Sequence, residues 1–64
     1  MIEATFKLNK DTKRTRRYEE VGATINGEAS MSPVVGTLYV QQFALRRLNN
    51  GELPEEVTIT IKVV

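Results

Sequence analysis

The clearest pattern in the chain lies near its end, where Val57, Ile59, Ile61 and Val63 alternate with Thr58, Thr60, Lys62 and Val64. A period of two with a mostly β-branched apolar face predicts a half-buried strand. The start of the chain repeats the pattern: Ile2, Ala4, Phe6 and Leu8 alternate with Glu3, Thr5, Lys7 and Asn9. Asn9 to Lys13 is polar and rich in side chains that bond their own backbone, which predicts a turn. Arg14 to Val21 then runs back as the second arm of a hairpin. Its alternation is poor, with Tyr18 as the one large ring and Val21 on the opposite parity. A polar strand of this kind suits a sheet edge, where charge discourages unwanted pairing.

Between Gly22 and Pro33 two readings stand side by side. Asn26-Gly27 is the favoured pair for a type I′ turn, so Ala23–Ile25 and Glu28–Ser30 can form a tiny hairpin. The other reading is a loop of small and polar residues, long for a compact domain. Val34–Val40 is the next strand, with Val34, Leu38 and Val40 on one face and Val35, Thr37 and Tyr39 on the other. Gly36 within it signals a bulge or a close backbone approach. Gln41–Asn49 reads as a short helix whose Ala44, Leu45 and Leu48 share the face that meets the sheet. Gly51 suits the left-handed position after the helix, Leu53 seals the core edge, and Pro54 blocks further helix.

A helix-containing connection ordinarily joins parallel strands. The expected fold is therefore α+β in a single domain over residues 1–64. It is a small mixed β-sheet of about four strands, an N-terminal hairpin followed by strand, helix and strand, with one covering helix. Phe6, Leu38, Leu45, Leu48, Ile59 and Ile61 are the expected core.

Composition narrows the function. A chain of 64 residues buries only about 60% of its unfolded surface, so its core is thin. With no cysteine and no histidine, it has neither disulfides nor thiolate or imidazole metal ligands. A second copy of the chain, as a homodimer, is the remaining way to add buried surface, and Val35, Tyr39, Phe43 and Val64 are the candidates for the shared patch. Histidine is also the usual general acid or base. Glu19-Glu20 and Glu55-Glu56 read as solvated edges, Ser30 and Ser32 lack an activating base, and the four glycines match no phosphate-binding loop. No catalysis, cofactor or metal is expected. No apolar run approaches the ~20 residues of a membrane span, so a soluble, cytoplasmic protein is expected.

Net charge is only +1, but it is unevenly spread: residues 1–17 hold six basic and two acidic side chains, and residues 18–64 hold three and six. Lys10, Lys13, Arg14, Arg16 and Arg17 gather at the predicted hairpin tip. Such a ribbon can follow nucleic-acid phosphates, or it can be a solvated edge that resists aggregation. On the helix, Phe43 points away from Leu45 and Leu48 and falls between Arg46 and Arg47. An aromatic flanked by arginines is characteristic of an interaction hot spot, although a first-turn Phe can also fold over the sheet rim.

These residues carry two resemblances. Lys13 to Glu20 (KRTRRYEE), Val35 to Val40 (VGTLYV) and Val57 to Ile61 (VTITI) resemble, in that order, an uncharacterised group of short bacteriophage and bacterial proteins, which implies no activity. Gly36 to Leu48 (GTLYVQQFALRRL) followed by Val57–Ile61 is similar to the AbrB-type swapped-hairpin DNA-binding domain, with Gly36, Leu38, Val40, Leu45, Arg46 and Leu48 in matching places. Gln41 stands where that family has proline, and no Gly-Asp precedes Val57. The resemblance implies DNA binding. Two functions follow as expectations: a non-enzymatic binder that touches nucleic acid through the basic hairpin, or a protein-interaction module that uses Tyr39, Phe43 and the helix rim.

Overall fold

A computed structural model describes all residues from Met1 to Val64. The elements are β1 (Ile2–Asp11), β2 (Thr15–Ile25), β3 (Glu28–Ala29), β4 (Thr37–Gln41), α1 (Gln42–Leu48) and β5 (Glu56–Ile61). They form a small α+β fold in which one five-stranded sheet carries one short helix. Every pairing in the sheet is antiparallel. β1 and β2 are the N-terminal hairpin, β5 joins the free side of β1, and β3 and β4 share the free side of β2 at its two ends.

The parallel pairing expected of the strand–helix–strand segment does not occur. β4 and β5 lie on opposite sides of the sheet with the hairpin between them, so α1 and the segment after it cross one face from rim to rim. This also moves β2 from the edge to the interior. Its charged residues are therefore flanked on both sides, by β1 and by β4.

Two register shifts explain why β2 reads poorly as a strand. Phe6 pairs with Glu20 and Thr5 with Gly22, which leaves Val21 as an extra, exposed residue. Beyond this bulge the inward parity switches, and Ala23 and Ile25 face the same side as Ala4 and Ile2. Leu8 pairs with Tyr18 and Lys10 with Arg17, so Asn9 is the corresponding extra residue on β1. Of the two readings for Gly22–Pro33, the tiny hairpin is the one formed. Asn26 (φ 51°) and Gly27 (φ 85°) supply the two positive φ values of its turn.

The core consists of Ala4, Phe6, Tyr18 and Leu45, with Leu8, Ala23, Leu38, Val40, Leu53, Val57 and Ile59 packed around it. Two expected members are outside: Leu48 is 77% exposed and Ile61 44% exposed. On α1, Leu45 is the one buried residue, and the last turn, with Leu48, lies open to solvent. After Asn49, Asn50 (φ 55°) takes the first left-handed position and Gly51 (φ 91°) has positive φ as well, its amide bonding back to the Arg46 carbonyl at 2.6 Å. The helix covers only the Phe6–Tyr18 part of the inner face. At the other end Ile2 lies between Ile25 and Ile61 on adjacent strands, and both neighbours remain half exposed.

Candidate functional site

The hairpin tip and the start of the helix are built as one unit. Thr12 closes the β1–β2 turn, donating its backbone N–H (2.8 Å) and its hydroxyl (2.8 Å) to the Thr15 carbonyl. Gln42 then docks the helix on this turn. Its amide N–H donates to the Arg14 carbonyl at 2.8 Å, and its side-chain Nε2 donates to the Thr12 carbonyl at 2.8 Å. A helix of seven residues has little stability of its own. Its position is set by this pair of bonds and by Leu45 in the core.

The docking opens a cleft of about 400 Å³ between tip and helix, lined by Lys13, Arg14, Gln41, Gln42, Phe43 and Arg46. Three cations, two amides and one aromatic ring face the same space, and no carboxylate lines it. Phe43 is 66% exposed. It therefore does not fold over the sheet rim as a core residue. Gln41 reaches the cleft from the outer face of β4, paired with Thr15, and Tyr39 stands two residues back on that face, 60% exposed and paired with Arg17. Arg17 in turn pairs with Lys10 on β1. Tyr39, Arg17 and Lys10 thus form a row across three strands that begins two residues along β4 from the cleft.

The five expected basic residues divide into three groups. Lys13 and Arg14 line the cleft. Lys10 and Arg17 sit on the outer face, with the Arg17 Nε on the Asn9 Oδ1 at 2.8 Å. Arg16 points inward and is only 7% exposed. Its Nε and Nη2 reach the two Asp11 carboxylate oxygens at 2.6 and 3.0 Å, and its Nη1 reaches the Pro54 carbonyl at 2.8 Å. That carbonyl also accepts the Tyr18 hydroxyl at 2.7 Å. Arg16 is thus a structural clamp and not part of a phosphate-facing surface. The Arg16 hydrogen bonds, its charge and the nearby charge of Arg46 hold Asp11 below the usual carboxylate range, and the same pair keeps Arg16 firmly charged.

The proposed apolar patch does not assemble within the chain. Phe43 and Tyr39 lie near the cleft, Arg47 is exposed on the helix, and Val35 sits in the loop before β4. Val64 follows β5, across the sheet from β4. No set of three or more acidic, histidine or cysteine side chains is placed to hold a metal ion, and no helix is long and apolar enough to cross a membrane.

A second arrangement was not visible in the sequence. The Glu20 carboxylate accepts the backbone N–H groups of Val34 (2.9 Å), Val35 (2.7 Å) and Gly36 (3.0 Å), while its own N–H donates to the Gly36 carbonyl at 2.9 Å. Three successive amides curled around an oxygen make an anion-binding nest, here filled by the chain's own side chain. Gly36 has φ 89°, which explains glycine at that position. These bonds hold the Glu20 carboxyl below its ordinary range. The sequence places Glu20 beside Glu19 as though both were solvated. Nothing in their spacing distinguishes the one that gathers a loop fourteen residues away. Gln42, Asp11 and Pro54 carry no sequence signal for their roles either.

No family model, no curated protein and no solved structure matches the chain. The two sequence resemblances rest on the quoted residues alone.

Proposed function

We propose that this chain is a non-enzymatic nucleic-acid-binding module that holds phosphates with Lys13, Arg14 and Arg46. The supporting observation is the cleft: cations from two separate elements face one space that no carboxylate lines, and the nearby Asp11 is already engaged by Arg16. Arg14 and Arg46 offer forked donors suited to phosphate oxygens, and Lys13 supplies a mobile point charge. Arg17 and Lys10 extend the positive path on to the outer face. The reading keeps the hairpin as the contact surface and adds the helix to it, while Arg16 is removed from it.

The test is a salt titration. Neutralised phosphates release counterions, so log K falls with log salt by about 0.7 to 0.9 per contact. Binding of labelled DNA or RNA should weaken steeply with salt, and Arg14→Ser and Arg46→Ser should each flatten the slope by nearly one. Lys62→Ser, beyond β5, should leave it unchanged. Absence of any shift with DNA or RNA at low salt would overturn the proposal and leave Phe43 and Tyr39 to a protein partner, whose apolar contact would not weaken with salt.

A further inference from the structure

We infer that the ligand of this cleft is a single strand, held by stacking a base on Phe43, with Tyr39 as the next platform along its path. The inference rests on the proposed phosphate contacts and specifies what lies between them.

Phe43 presents its ring to solvent in the middle of three cations, where it contributes nothing to the core. An exposed aromatic ring among cations is suited to a partner with a π-face and a negative backbone. The cleft, at about 400 Å³, lies near the lower end of the range for small ligand sites. It has room for one unstacked base. A double helix presents its bases only edge-on within the stack, so Phe43 could not meet a base face in a duplex. Sequence-tolerant single-strand binders combine the same parts: a positive track for the backbone and aromatic rings for successive bases.

The path beyond Phe43 follows from the strand geometry. Gln41 shares the cleft with Phe43 and the outer face of β4 with Tyr39, which lies roughly 7 Å further along that strand. A strand that leaves the cleft past Gln41 therefore reaches a second exposed ring, followed by Arg17 and Lys10 across the sheet. The backbone of Gln41 is paired with Thr15, while its side chain makes no capping bond to the helix, so the side-chain amide can meet a base edge.

The experiment compares a fluorescent oligo-dT with a duplex of equal length at one ionic strength, using wild type, Phe43→Ala, Tyr39→Ala and Arg14→Ser. Base–aromatic stacking, taken as about 1–3 kcal/mol per base, corresponds to a loss of about 5- to 150-fold. Phe43→Ala should therefore weaken the single strand by about fivefold or more and leave duplex binding within about twofold. Tyr39→Ala should follow with a smaller loss, and Arg14→Ser should weaken both ligands. The chain has no tryptophan, so Phe43→Trp introduces a single indole that can be excited apart from the two tyrosines and whose emission should be quenched by the single strand. Equal loss for both ligands in Phe43→Ala, no quenching, or tighter duplex binding would overturn the stacking model while leaving phosphate binding intact. Failure of both ligands to bind would overturn both proposals. An unchanged melting temperature for Phe43→Ala, expected for so exposed a side chain, shows that any loss is one of contact and not of folding.

Discussion

Two side chains that read as surface charge anchor the tertiary structure. Arg16 belongs to the cationic run at the hairpin tip, yet the bulge at Asn9 brings Asp11 opposite it on the inner face, where both carboxylate oxygens are engaged. Arg16 and Tyr18 both donate to the Pro54 carbonyl, so one oxygen ties β2 to the segment that precedes β5. Glu20 performs the equivalent task midway along β2 by collecting three amides of the loop before β4. Its carboxyl is depressed in the folded state, so the unfolded chain binds the proton more readily. The stability it contributes is present above the ordinary value of 4.5 and is lost as pH falls through the lower folded value. Asp11 has the same sign below 3.8. Denaturant titrations at decreasing pH should show stability falling from about pH 4.5 downward. Glu20→Gln should be less stable at neutral pH and show a shallower acid limb. An acid limb identical to wild type would mean that the loop does not depend on the carboxylate.

At the scale of the element, α1 is held by one core side chain and by the glutamine that follows β4. Leu45→Ala removes the only buried contact of the helix, with a cost of about 2–5 kcal/mol expected for a core leucine. Leu48→Ala, at a position exposed like most surface sites, should stay within about 0.5 kcal/mol. Urea denaturation of the two variants checks the contrast, and equal costs would mean that the helix packs through its last turn as well. The sequence shows helical periodicity here but not how far the helix projects past the sheet, which is why Leu45 and Leu48 are indistinguishable by spacing. β2 illustrates the opposite limit. Its alternation is interrupted by a bulge, so residues that share one face appear on two parities. The terminal strands β1 and β5, which lack that interruption over most of their length, are legible from pattern alone.

At the scale of the molecule, the chain forms a slab of 34 × 23 × 17 Å with a radius of gyration of 12.3 Å, above the roughly 10.7 Å expected of a sphere-like domain of this length. One helix on one sheet cannot enclose more. The class, the hairpin and the single helix follow from local periodicity. The strand order does not, because whether β4 pairs with β5 or with β2 depends on which edge of the hairpin is free. The candidate site was only half legible for the same reason. The basic tip and the exposed Phe43 are each visible in sequence, but their meeting depends on Gln42 reaching the Thr12 and Arg14 carbonyls.

The position of β1 between β2 and β5 also sets an order of events in time. β2 is reached across a three-residue turn, whereas Ile61 pairs with Ile2 from nearly the full length of the chain away. Contacts so distant in sequence must meet their loop-closure entropy before they return any stability, and they slow folding. The hairpin should therefore be formed in the transition state, with β5 added after it. In stopped-flow chevrons, Phe6→Ala should slow folding, while Ile59→Ala should mainly accelerate unfolding. Equal effects of Ile59→Ala on both arms would place β5 in the nucleus instead. During the interval before β5 arrives, β1 offers an unpaired edge to any other chain still folding. The strand that closes the sheet is therefore also what ends the protein's period of greatest vulnerability to aggregation.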